Sequence, residues 1–181
     1  MWSDMKITVI TGSSHKKGTS SLLADEFIRG AKEAGHEIYR FDAAFEELHP
    51  CLGCDRCGMG SSPCVWKDSM QKLNPHMMEA DVVVLVTPLY YFTVSAQLKM
   101  VIDRFYANTG RFTGGRKSIL MATAYDANEW TMSALTAYYQ TLADYMRWED
   151  IGRVLATGCG SRRDIERSRF PQMAYEMGKG L

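Results

Sequence analysis

The sequence predicts a doubly wound α/β fold, a three-layer sandwich in which a five-stranded parallel sheet is covered by helices on both faces. Three observations predict it. Short β-branched apolar runs alternate with segments of helical spacing, which implies right-handed crossovers and parallel strands. The run Asp81-Val-Val-Val-Leu-Val-Thr87 is apolar at every inner position, as a strand buried on both faces must be. A chain of 181 residues, 46% hydrophobic, suffices for one well-covered core, so a single domain over 1–181 is expected.

The first strand is Lys6-Ile-Thr-Val-Ile-Thr11, broken at Gly12-Ser-Ser. Helical spacing follows Gly18, with Leu23, Phe27 and Ala31 on one stripe and the charged residues off it, closing near Gly35. Ile38 to Phe41 reads as the second strand and 81–87 as the third, stopped by Pro88. From Ser95, the residues Leu98, Val101, Ile102 and Phe105 mark a helix ended by Gly110 and Gly114-Gly115. Ser118 to Thr123 is the fourth strand, Leu135 to Met146 a helix, and Ile151 to Thr157 the fifth strand. A last helix is expected from Ser161 or Arg163 towards Gly178. One irregular Cys-, Gly-, Pro- and Ser-rich insertion, residues 43–68, fills the second βα connection, where such length is more often functional than filler.

Lys plus Arg equals Asp plus Glu at 21 each, so no strong basic field exists for nucleic acid or an anionic membrane. The longest apolar run is too short to cross a bilayer, and the start MWSDMKITVI lacks the pattern of a signal peptide. A cytoplasmic location is the resulting expectation.

Two loops carry the functional signal. Gly12-Ser-Ser-His-Lys-Lys-Gly-Thr-Ser-Ser21 joins a strand end to a helix start through hydroxyls and glycines. Unpaired helix amides, the positive dipole end and the hydroxyls of Ser13, Thr19, Ser20 and Ser21 form a phosphate cradle by physical logic. The same residues also suit a plain helix cap. The loop has neither the Gly-Lys-[Ser/Thr] ending of a Walker A sequence nor G-x-G-x-x-G. Beyond the third strand, Pro88-Leu-Tyr-Tyr-Phe92 places three aromatics that suit either core packing or a flat ligand. For strand order 2-1-3-4-5, the crevice between strands one and three is the ligand site, so the two loops would be neighbours. Together they suit a ligand with a phosphate tail and a flat ring.

The series Gly12-Ser13-x-x-Lys16-x-Gly18-x-Ser20, Cys51-x-Gly53-Cys54-x-x-Cys57, Cys64-Val65-x-x-Asp68-x-Met70, Thr87-Pro88-x-Tyr90 and Ser95-Ala96-x-Leu98-Lys99-x-x-Ile102-Asp103-Arg104 resembles the NADPH-dependent FMN reductase family, especially its iron-sulfur flavoprotein branch. The resemblance is dense over roughly residues 5 to 105. It implies a flavodoxin-like sandwich that binds flavin mononucleotide (FMN), uses NAD(P)H as co-substrate, passes electrons to a small-molecule acceptor, and assembles as a homodimer or homotetramer. By that likeness Ser13, His15, Thr19, Ser20 and Ser21 hold the phosphate. Pro88, Leu89, Tyr90, Tyr91 and Phe92 border the isoalloxazine, with backbone groups of 89–92 meeting its polar edge. Thr123, Ala124 and Tyr125 occupy the place of a Gly-rich loop beside the ring, where Tyr125 stacks on flavin or packs at a subunit contact. Lys99, Asp103 and Arg104 read as solvated or capping residues as readily as flavin contacts. Relatives usually carry Pro-Arg where this chain has Ser14-His15, so phosphate affinity should depend on pH. FMN binding is expected to tighten below about pH 6.5; titrations giving one affinity from about pH 5.5 to 8 would rule this out.

Cys51, Cys54, Cys57 and Cys64 lie within fourteen residues, interleaved with Gly53, Gly58 and Gly60. The spacing resembles the iron-sulfur flavoprotein motif for a [4Fe-4S] cluster. Zinc, a thiol pair beside the flavin, or no special role fits the same residues. Cys159, far along the chain, reads as a small core residue. The aromatics from Trp130 to Trp148 suit a subunit interface or ordinary core. A non-enzymatic flavodoxin-type carrier is the chief rival function, disfavoured by the neutral charge because carriers dock through acidic surfaces. A metal-binding or regulatory module is a second rival.

Overall fold

A computed structural model describes residues 4–181. The strands are β1 (Lys6–Thr11), β2 (Glu37–Asp42), β3 (Val82–Pro88), β4 (Lys117–Thr123) and β5 (Glu149–Ala156). The helices are α1 (Thr19–Glu33), α2 (Met70–Glu79), α3 (Ala96–Arg104), the single turn α4 (Thr109–Phe112), α5 (Ser133–Met146), α6 (Arg162–Glu166) and α7 (Phe170–Lys179). All strand pairs are parallel and the order is β2-β1-β3-β4-β5, as the alternation predicts.

The two-residue period of a strand explains how the sheet acquires two cores. On β3, Val83 and Leu85 point into one cluster with Leu73, Leu98 and Leu135 from α2, α3 and α5. Val82, Val84 and Val86 point into the other, with Leu23 and Phe27 of α1 and Ala174 of α7. No position on β3 faces water, which is why its sequence shows no alternation.

Three departures from the sequence reading have local causes. Helix α2 was hidden because Pro75 sits inside it, although Met70, Leu73 and Met77 recur at helical spacing and are buried. The helix from Ser95 stops at Arg104, continues as a tighter turn over Phe105–Asn108 and ends with α4 before Gly114 and Gly115. The last helix is two: Ser168 Oγ donates to the Ile165 carbonyl and accepts from the Phe170 amide at 3.2 Å, and Pro171 supplies the new start.

Candidate functional site

Both suspicious loops leave the C-terminal edges of adjacent strands, β1 and β3, and one hydroxyl ties them together. Ser95 caps α3 by accepting from the Leu98 amide, and its Oγ donates to the Gly12 carbonyl at 2.7 Å. The approach requires glycine. A Cβ on Gly12 would lie 2.3 Å from Ser95 Oγ and 2.7 Å from Leu98 Cβ.

The loop from 12 to 18 folds on its own side chains. Ser13 Oγ accepts from the His15 amide at 3.1 Å, and Ser21 Oγ donates to the His15 carbonyl at 3.0 Å. Thr19 and Thr123 share a hydroxyl hydrogen bond of 2.8 Å that spans β3 and fixes the first turn of α1 against the end of β4. After β3, Tyr90 and Thr93 exchange backbone hydrogen bonds of 3.2 Å each around Tyr91 and Phe92. Those two residues have φ of 45° and 67°, the paired left-handed geometry of a type I′ turn. Each non-glycine residue there costs on the order of 1–3 kcal/mol, and such strain concentrates at ligand clamps.

Between the loops lies a cavity of about 720 Å³, within the range of small-molecule sites. Of the predicted residues, Ser13, His15, Thr19, Pro88, Leu89, Tyr90, Thr123 and Tyr125 line it. Tyr91, Phe92 and Ala124 line an adjoining hollow of about 260 Å³ that shares Leu89 and Tyr125 with the first. Ser20 and Ser21 line neither; both are buried, and Ser21 shapes the loop from behind. Of the backbone amides expected at the ring's edge, Leu89 donates to Thr123 and Tyr90 to Thr93, which leaves the turn amides of Tyr91 and Phe92.

The sequence reading missed one wall. Cys159, Gly160 and Arg162, from the end of β5 to the start of α6, also line the cavity. Gly160 permits it, since a Cβ there would meet the Tyr125 ring at 2.2 Å. Cys159 is a buried core residue as expected, and burial pushes its thiol up. His15, Lys16, Lys17 and Arg162 all line the cavity, with no carboxylate among its described lining residues. A chain of zero net charge has therefore gathered cations at one point.

The sequence profile of NADPH-dependent FMN reductases matches residues 5–160. The chain belongs to that family. It is 39% identical over 101 residues to an iron-sulfur flavoprotein of Methanocaldococcus jannaschii, covering 55% of this chain and 51% of that protein. It is 32% identical over 119 residues to an FMN-dependent NADH:quinone oxidoreductase of Pseudomonas aeruginosa, covering 55% and 59%. The chain thus spans about half the length of these curated relatives. The fold superposes on NAD(P)H:quinone oxidoreductase from Methanothermobacter marburgensis with a TM-score of 0.77 at 16% identity, over 99% of this chain and 96% of that one.

In this family member the cavity fits the cofactor that the family's name carries. Gly18 is part of the cradle: a Cβ on it would sit 3.0 Å from the His15 carbonyl and 3.3 Å from Ser13 Oγ, so a larger residue would crowd the loop. The cysteines are not gathered into a site of their own. Cys51 and Cys54 are exposed, Cys64 is half-buried and Cys57 is buried, all as free thiols. Among the described residues no three His, Cys, Asp or Glu side chains come together as a metal site. None of these four cysteines lines the flavin-sized cavity, so no chemistry is routed through a cluster or zinc.

The rest of the matched motif is structural. Arg104 does not face the cavity; it is buried and pins the insertion, donating to Asp68 at 2.6 and 3.2 Å and to the His49 carbonyl at 2.8 Å. Burial alone would raise the Asp68 carboxyl, but Arg104 and the amides of His49 and Met70 outweigh it and hold it below its usual range. Lys99 and Asp103 form an exposed pair one helical turn apart.

Proposed function

We propose that this family member is an FMN-dependent oxidoreductase that takes hydride from NAD(P)H and passes electrons to a flavin, quinone or other small acceptor. The carrying observation is the shared cavity of an anion-binding loop and an aromatic turn at the β1/β3 edge. When bound, FMN supplies the hydride and electron chemistry; the protein supplies binding, orientation and electrostatics. In this reading Ser13, His15 and Thr19 hold the phosphate together with the amides of Ser14, Lys16 and Lys17, since those of His15 and Gly18 are spent within the loop. Pro88, Leu89, Tyr90, Thr123 and Tyr125 border the ring, and the Tyr91 and Phe92 amides donate to its polar edge. Tyr91 is 96% and Tyr125 87% exposed, so substrate or a second subunit covers them when the site works.

The single domain with an insertion at 43–68, the cytoplasmic location and a homodimeric or homotetrameric state belong to the same proposal. Exposed Trp130 packs against Phe92 with ring centroids 5.3 Å apart, which extends the aromatic surface away from the cavity mouth and supports the subunit contact. Among the described residues no helix is long and apolar enough to cross a membrane.

Protein purified without air and mixed with excess FMN should retain about one flavin per chain. It should then oxidise NADPH or NADH continuously when a quinone is added. The name of the relatives favours one second reading, a flavoprotein electron carrier. A flavin-loaded protein that is reduced by a partner but never turns over with NAD(P)H would select the carrier, and a protein that retains no flavin would end both readings. The same anaerobic sample, assayed for iron and sulfide, tests whether the cysteine loop rearranges around a [4Fe-4S] cluster.

A further inference from the structure

We propose that Arg162 is the fixed cation of the phosphate site, joining the cradle from the start of α6 beside the 12–18 loop. The proposal rests on the FMN reading above and deepens it. Within the loop, the available charges are poorly fixed. His15 carries an imidazole, not a guanidinium. Lys16 leans over the Phe45 ring, with Nζ 4.8 Å from its centroid, and exposed Lys17 has no ion pair among the described residues. A dianion held by hydroxyls and amides alone lacks a permanent counter-charge.

Arg162 meets the requirement in charge, position and rigidity. It is the first residue of α6, whose start is fixed by a capping box: Ser161 Oγ accepts from the Asp164 amide, and Asp164 accepts from the Ser161 amide at 2.8 Å. Its Nε donates to Glu166 at 2.6 Å in a partly exposed pair one helical turn on, which orients the guanidinium. Its Nη1 lies 3.4 Å from both the Lys17 and Gly18 carbonyls, long contacts that place the head beside the cradle floor. Among the described residues Nη2 makes no hydrogen bond. A guanidinium anchored at one edge with donors facing an anion site is suited to a phosphate oxygen. The positive end of α1 and the Arg162 guanidinium then serve the same group, held together at the Lys17–Gly18 turn.

The test compares FMN with riboflavin, which has the ring but no phosphate, using flavin fluorescence during titration of the apoprotein. Arg162→Ala should weaken FMN binding about ten- to hundredfold, the worth of one charged hydrogen bond, while leaving riboflavin affinity unchanged. Arg162→Lys should recover part of the loss. Arg162→Gln, which can still bond the loop carbonyls, should not, and its FMN affinity should respond less to added salt than that of the wild type. Arg163→Ala serves as the control and should change neither affinity. Equal weakening of FMN and riboflavin would assign Arg162 a loop-shaping role and overturn the proposal, as would an unchanged FMN affinity in Arg162→Ala. A wild-type protein that binds riboflavin no more weakly than FMN also overturns it, but leaves the flavin site standing. A wild-type protein that binds neither removes both.

Discussion

Asp68→Ala is expected to lower the free energy of unfolding by about 3–5 kcal/mol, a loss typical of removing one partner from a buried ion pair. The Asp68 side chain is 1% exposed and that of Arg104 3%, so solvent cannot take the place of the missing carboxylate. The variant leaves a buried guanidinium whose Nε already lacks a partner, and it frees the amides of His49 and Met70. Urea unfolding should show a lower midpoint with similar slope. Replacing both members with apolar residues, Asp68→Leu with Arg104→Met, should recover much of the loss, since the charge and its unmet hydrogen bonds leave together. A single variant with wild-type stability would mean the pair does not anchor the insertion. The pH dependence has a definite sign. The folded carboxyl lies below its ordinary value of 3.8, so its contribution is complete above that value and is lost as pH falls through the depressed one. Asp68→Ala should therefore flatten the acid limb of the stability profile in that window and leave the neutral limb parallel to the wild type.

The same pair illustrates what could be read from the sequence. Asp68 and Arg104 were visible as motif positions, but 36 residues separate them and nothing in the sequence shows that they meet. The strands were legible because burial on both faces leaves continuous apolar runs. The 12–18 loop was legible because its chemistry is local: hydroxyls, glycines and a helix start lie within ten residues. Ser20 and Ser21 lie off the cavity wall because composition does not say which way a helix's first turn faces; both are buried, and Ser21 turns back to the His15 carbonyl. Arg162 was missed for the opposite reason. Its neighbours suggest only a capped helix start, and it reaches the cavity wall because β5's helices return to the α1 face of the sheet. The cysteine spacing left a cluster, zinc, a thiol pair or no special role open. The loop carries left-handed residues at Asp55 and Met59 and at Gly53, Gly58 and Gly60, and among the described residues no three of its thiols come together.

That return to the α1 face depends on two glycines, and the second large effect is expected there. A Cβ on Gly178 would lie 2.2 Å from the Phe27 carbonyl oxygen, and one on Gly30 would lie 2.1 Å from the Tyr175 carbonyl oxygen. The obstacles are backbone atoms, so no rotamer relieves them and the helices must separate. Gly178→Val should cost about 3 kcal/mol or more, even though valine is the better helix former of the two. Because α1 and α7 make the densest helix contact in the fold, the cost should appear as a loss of global stability rather than local fraying. A consequence at the cavity follows from connectivity. Helix α7 follows α6, which carries Arg162, while α1 carries the cradle, so pushing the two helices apart opens the phosphate site from both walls. Gly178→Val protein that remains folded at low temperature should therefore lose affinity for FMN more than for riboflavin. Intact stability would show that the helices can part without cost. Reduced stability with unchanged FMN affinity would show that the Arg162 wall is held by α6 and its capping box alone.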